Sequence, residues 1–128
     1  MNLTIHDVGI ARQIGTYSDA IEVKPNSRWL LTSGTPGLTE AGDLPADVTG
    51  QTELAWQHLI RMLEKAGMVV ADIVKVTQYL TRAEDIPAYV KVRKQILGDV
   101  RPAFMLLVVP QLVRPEFLVE IEIMAARA

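Results

Sequence analysis

Between residues 48 and 97 the chain reads helix, strand, helix, and that alternation restricts its fold more than any other feature. Val48, Ala55, Leu59, Met62 and Ala66 recur at helical spacing and predict a helix over 48–66, with Gly67 placed for a left-handed cap. Ile73 to Leu80 reads as a strand with Val74, Val76 and Leu80 on one face. A second helix is expected over 86–97, with Asp85 as N-cap, Pro87 in its first turn and Gly98 at its end. The continuous apolar run from Phe104 to Val109 predicts a strand buried on both faces, and Leu118 to Ala125 is the last strand.

Upstream, Ala20 to Val23 and Arg28 to Ser33 are β-prone runs separated by the turn cluster Lys24-Pro25-Asn26-Ser27, so a hairpin is expected. Residues 34–47 hold three glycines and two prolines and should form a loop. The order β-β-α-β-α-β-β implies right-handed crossovers. It predicts an α+β domain spanning 1–128, a single mixed sheet with both helices on one face. The bare face should be rich in Val, Leu and Ile, and a subunit partner is its natural cover.

Composition excludes several classes. Cysteine is absent, which removes disulfides, thiolate nucleophiles and zinc-thiolate sites and fits a cytoplasmic setting. No apolar stretch approaches a membrane span, and Met1 to Asp7 carries no secretory pattern. With 13 basic and 15 acidic residues, net charge −2 and 5% aromatic residues, nucleic acid is not an expected partner. There is no phosphate-binding lysine loop, no dinucleotide fingerprint and no nucleophile elbow; Gly34-Thr35-Pro36-Gly37 lacks the lysine a phosphate loop needs. His6 is expected in a mobile N-terminal segment, and His58 reads as a solvent-facing or interface residue. With no third ligand at a workable spacing, a histidine metal site is not expected.

Glu120 is the candidate for chemistry. In Val119-Glu120-Ile121-Glu122-Ile123, alternation sends the apolar residues to one face and both glutamates to the other. That pattern fits an ordinary strand with a wet charged face. It also fits a carboxylate at the mouth of a pocket, where partial desolvation raises its pKa toward a range useful for proton transfer.

Six segments, taken together and in order, resemble the RidA family, also called the YjgF or reactive-intermediate deaminase family. They are Ile14-Gly15-Thr16-Tyr17-Ser18, Leu31-Thr32-Ser33-Gly34, Gly42-Asp43-Leu44-Pro45-Ala46-Asp47-Val48, Ala71-Asp72-Ile73-Val74-Lys75, Arg101-Pro102-Ala103 and Val119-Glu120-Ile121-Glu122. The resemblance implies a chorismate-mutase-like fold assembled as a homotrimer, with sheets forming a central barrel, helices outside and ligand clefts between subunits. It implies hydrolysis of imines and enamines released by pyridoxal-phosphate enzymes, giving a 2-keto acid and ammonia, with no cofactor of the protein's own. Carried over by position, Tyr17 would line the cleft, Ser33 and Gly34 would face the ligand, and Glu120 would hold or activate the attacking water.

The chain departs from the family pattern at position 104. Deaminase members follow Pro-Ala directly with an arginine that holds the substrate carboxylate, whereas here Pro102-Ala103 leads to Phe104. Losing such a bidentate, charge-assisted pair costs about 2–5 kcal/mol of binding. Phenylalanine offers apolar area and a ring face instead. Arg101 would point away from Phe104, and nothing in the sequence places Arg114 in the cleft. Met105-Leu106-Leu107 replaces the family's usual cysteine, the loop over 110–117 is slightly longer, and Thr16 stands where proline is common. Two readings follow: a hydrolase of imines, enamines or related metabolites with altered specificity, or a trimer that binds a metabolite without turnover. Endoribonuclease activity, attached to some relatives, fits the acidic balance poorly. Phe104 could equally pack in a subunit interface, and the Tyr17 hydroxyl could cap a backbone group.

Overall fold

The protein is described over residues 3–128 by a computed structural model. Helix α1 covers Val48–Lys65 and helix α2 covers Ile86–Leu97, where the apolar spacing puts them. Asp47 caps α1 by accepting the Gly50 N–H at 2.8 Å. Gly67 (φ 69°) and Gly98 (φ 56°) follow the helices with the positive φ that a β-carbon disfavours. Asp85 occupies the N-cap position of α2, but its carboxylate is turned to Arg82 at 2.8 and 3.1 Å and caps no backbone N–H.

The strands are β1 (Leu3–Ile5), β2 (Ile21–Val23), β3 (Arg28–Leu31), β4 (Ile73–Leu80), β5 (Ala103–Val108) and β6 (Val119–Arg127). They form two sheets rather than the single one expected: a four-stranded sheet in the order β3-β6-β4-β5 and a two-stranded β1-β2 ribbon. β4 and β5 run parallel, joined by α2, and the other pairs are antiparallel. The expected hairpin is absent. Asn26, at φ 62°, turns the chain from one sheet to the other, so that β2 pairs with β1 and β3 pairs with β6. His6 is correspondingly tied down: its N–H donates to Ala20 O at 2.9 Å and its ring meets Glu22 at 2.8 Å.

Both helices cover the same face of the four-stranded sheet. Trp56, Leu59 and Leu63 of α1 and Tyr89 and Leu97 of α2 pack on Val76, Leu80, Val119, Ile121 and Ile123, all buried. Each such side chain contributes about 1.5–3 kcal/mol of burial free energy. Gln51 fastens α1 to the rest: its amide nitrogen donates to Pro45 O (3.0 Å) and Glu116 O (3.3 Å), and its oxygen accepts the Leu118 N–H (2.9 Å).

β5 corrects a further expectation. It is apolar on both sides but buried on one, because the helices cover only one face of the sheet: Phe104 and Leu106 pack on the core while Met105 and Leu107 are exposed. The open face is also not a Val/Leu/Ile surface. Lys75, Thr77, Tyr79, Glu120 and Glu122 run down its centre, with Trp29, Leu31 and Met124 to one side and Met105 and Leu107 to the other.

Candidate functional site

Glu120 stands on β6 opposite Tyr79 of β4. Alternation along β6 buries Val119, Ile121 and Ile123 and leaves Glu120 and Glu122 half-buried on the open face. Beyond β3 the chain keeps following β6. The Thr32 N–H donates to Ile123 O at 3.1 Å, Thr32 Oγ1 accepts the Ile123 N–H at 3.0 Å, and Thr35 and Ile121 exchange backbone hydrogen bonds of 2.8 and 3.1 Å. This course lays Gly34 directly against the Glu120 carboxylate. A β-carbon at position 34 would overlap Oε2 and lie 3.5 Å from Cδ, so glycine supplies the clearance the carboxylate occupies. Ser33 is exposed beside it, its carbonyl accepting the Thr35 hydroxyl at 3.1 Å. Desolvation, and then the like charge of Glu122, hold the Glu120 carboxyl above its ordinary pKa.

Tyr17 and Phe104 form a second group. Buried Ser18 joins the segment before it to the start of β5: its N–H donates to Pro102 O at 3.0 Å and its hydroxyl to Arg101 O at 2.5 Å. The Tyr17 ring then stacks on Phe104, with centroids 5.2 Å apart and planes 25° apart. Asp19 holds the preceding loop, its carboxylate accepting backbone N–H groups of Val8 (2.7 Å), Gly9 (3.0 Å), Ile10 (3.3 Å) and Ala11 (2.7 Å). Those bonds, that from Val8 foremost, hold the Asp19 carboxyl below its ordinary pKa.

Phe104 pairs with Val76 and faces the helices, whereas Glu120 faces the open side of the sheet. One chain therefore brings Glu120 together with Ser33 and Gly34, and Tyr17 together with Phe104. It does not bring the two groups together.

Beside Tyr17 and Phe104 lies a cavity of about 400 Å³, also lined by Gln78, Arg93, Lys94 and Leu106. Sequence reasoning missed Arg93, which is only 6% exposed. Its guanidinium sits 4.3 Å over the Phe104 ring and 5.6 Å from that of Tyr89, and its Nη1 donates to Gln78 Oε1 at 2.8 Å. The Tyr89 hydroxyl donates to the same oxygen, and the Gln78 amide donates to Met105 O at 3.3 Å. The signal was present: Gln78 shares the parity of Val76 and Leu80, and Tyr89, Arg93 and Leu97 recur every four residues. Arg114 instead lies over the ring of buried Phe117, and Arg101 contributes its carbonyl to Ser18. His58 is half-buried and bonded to Leu38 O at 2.5 Å, fastening the loop before α1 instead of facing solvent.

Comparison with known proteins agrees with this architecture. The family model for Endoribonuclease L-PSP matches residues 10–127. A RutC family protein of Pyrococcus abyssi is 31% identical over 116 residues, 89% of this chain and 88% of its own. The Escherichia coli K12 protein named "Putative reactive intermediate deaminase TdcF" is 30% identical over 87 residues, 67% of this chain and 65% of its own length. The crystal structure of E. coli TdcF with bound serine superposes with a TM-score of 0.74 at 29% identity, covering 90% of this chain and 91% of that one. A Rid-family structure from Yersinia pestis, at 24% identity, shares the fold with a TM-score of 0.85 over 99% of this chain and 100% of its own. With two helices on a mixed sheet, a family match along nearly its whole length and relatives of this kind, the chain belongs to the Endoribonuclease L-PSP family, the family of the YjgF and RidA proteins.

Proposed function

We propose that the protein is a homotrimeric, cofactor-free hydrolase of imines or enamines whose substrate preference differs from that of arginine-bearing relatives. The observation that carries this reading is the Glu120 carboxyl, half-buried, fitted against Gly34 and raised in pKa by desolvation. A carboxylate so placed can take a proton from water as the oxygen attacks the C=N carbon, and return it to nitrogen as the tetrahedral adduct collapses. The balance is imine plus water to carbonyl compound plus ammonia. The name of TdcF, a relative found with bound serine, points to the same class of small substrate.

The two groups of candidate residues lie on opposite faces of one sheet, so a complete site draws Glu120, Ser33 and Gly34 from one copy and Tyr17 and Phe104 from its neighbour. Phe104, in the place of the arginine that the family resemblance implies, gives the cleft an apolar wall. A binder without turnover is the second reading, favoured by the ring of Tyr17 lying stacked on Phe104. The net charge of −2 speaks against an endoribonuclease.

The deciding experiment is turnover of imines generated by an amino-acid oxidase, comparing wild type with Glu120→Gln. Loss of turnover with an unchanged oligomer supports the hydrolase. Equal rates in the two proteins exclude the role given to Glu120, and no turnover by wild type leaves the binder.

A further inference from the structure

We propose that the cavity beside Tyr17 and Phe104 binds a small organic anion carrying a flat apolar group, in chemical class an arylalkyl carboxylate, with Arg93 holding the carboxylate. This deepens the small-molecule reading above and rests on it, since that reading gives Tyr17 and Phe104 to the substrate.

The argument begins with charge. A cation removed from water is costly unless a counter-charge or a full set of hydrogen bonds compensates it. Arg93 is 6% exposed, yet the ion pairs among the described residues join His6 to Glu22, Arg61 to Glu40, Arg82 to Asp85 and Arg127 to Asp72. Arg93 is in none of them. Its partners are neutral: the Gln78 side-chain oxygen, the Tyr89 hydroxyl and the faces of Phe104 and Tyr89. A guanidinium carries five N–H donors in a rigid fork suited to a carboxylate, and the bond to Gln78 uses one.

The surroundings hold that fork in place. Gln78 Oε1 receives both Arg93 and the Tyr89 hydroxyl, and the Gln78 amide is anchored on Met105 O. Such a shared acceptor fixes the orientation of the cation before any ligand arrives. None of the residues lining the cavity is acidic, and Lys94 adds a second positive charge to its wall. The potential inside is therefore positive.

The remaining wall selects the body of the ligand. Ile14, Ile86, Val90 and Leu106 line the cavity together with the two aromatic rings. An inorganic anion would answer the charge and leave this wall unused. A carboxylate on a flat ring uses both, and a volume of about 400 Å³ lies at the small end of the roughly 300–1,000 Å³ usual for ligand pockets.

The test is titration of the full-length protein with phenylacetate and with phenylacetamide, its uncharged counterpart, followed by calorimetry and by NMR shifts. Phenylacetate is expected to saturate a site whose shifts centre on Tyr17, Phe104 and the Arg93 side chain, and to bind at least tenfold more tightly than the amide. Arg93→Gln should weaken phenylacetate at least tenfold and leave phenylacetamide unchanged. The proposal is overturned if acid and amide bind alike, if the shifts centre elsewhere, or if wild type binds neither. Should Arg93→Gln fail to fold, the acid–amide comparison and the shift map on wild type decide alone. Imine turnover measured on the same samples keeps the two ideas apart. Anion binding without turnover removes the hydrolase reading only. Turnover that depends on Glu120 but is indifferent to Arg93→Gln and to phenylacetate removes this one only.

Discussion

Phe104 and Glu120 are separated by a single strand of the same sheet and project from opposite faces of it. If one reaction needs both, two copies of the chain must supply them. Glu120→Gln and Phe104→Asp variants, each inactive alone, should therefore complement when unfolded together and reassembled. Random mixing leaves about a quarter of the composite sites with both native residues. Imine turnover of the mixture near that fraction of wild type is the expected result, and a mixture as inactive as its components rejects a shared site.

Gly34→Ala separates stability from function. The added β-carbon meets the far end of the Glu120 side chain, which can swing aside, so the stability cost should stay below about 1 kcal/mol. The displaced carboxylate can no longer be fitted where Gly34 held it, and turnover should fall at least tenfold. Denaturant unfolding and steady-state kinetics on one preparation test both halves.

Stability should respond to pH in opposite senses at two carboxylates. The folded-state pKa of Glu120 is raised, so its contribution is present below the unfolded-state value and is lost as pH rises through the folded one. Glu120→Gln should thus be more stable than wild type at neutral pH, with the difference vanishing toward acid. The pKa of Asp19 is lowered, so its contribution is present above the unfolded-state value and is lost as pH falls through the folded one. Asp19→Asn should be destabilised at neutral pH, and that penalty should shrink in strong acid. Unfolding midpoints across the acid range measure both slopes.

Phe104→Arg would mimic the arginine that the family resemblance implies, but Arg93 already sits 4.3 Å over the ring it replaces. Two guanidiniums would then share a cavity with Lys94 and no acidic residue in its lining. The variant should lose about 1–3 kcal/mol of stability from crowded like charge and the lost ring contacts, and phenylacetate should restore more of its melting temperature than it adds to wild type. An unchanged melting temperature would mean that Arg93 swings clear.

The parts of the fold set by local periodicity were legible in the sequence. Helix α2 has the expected bounds, Gly67 and Gly98 stand at the helix ends, and the alternation around Glu120 buries Val119, Ile121 and Ile123. What failed depended on pairing between distant segments. Nothing in Lys24-Pro25-Asn26-Ser27 distinguishes a hairpin turn from a crossing between sheets, because the outcome depends on β1 competing for β2 and β6 for β3. The one-sided burial of β5 follows from both helices lying on a single face of the sheet, which an apolar run does not encode. At the candidate site, alternation put Glu120 on the open face without separating a wet strand from a pocket carboxylate, and resemblance singled out Tyr17, Ser33, Gly34 and Phe104. Arg93 was passed over because a charged residue on a helix ordinarily reads as solvated.

The close fit of Gly34 to Glu120 makes two distant positions a single heritable unit. A side chain at 34 displaces the Glu120 carboxylate from its present place, whereas a shorter acid at 120 would leave room for one. Substitutions there should not be additive: Glu120→Asp should be harmful alone yet less so in a chain already carrying Gly34→Ala.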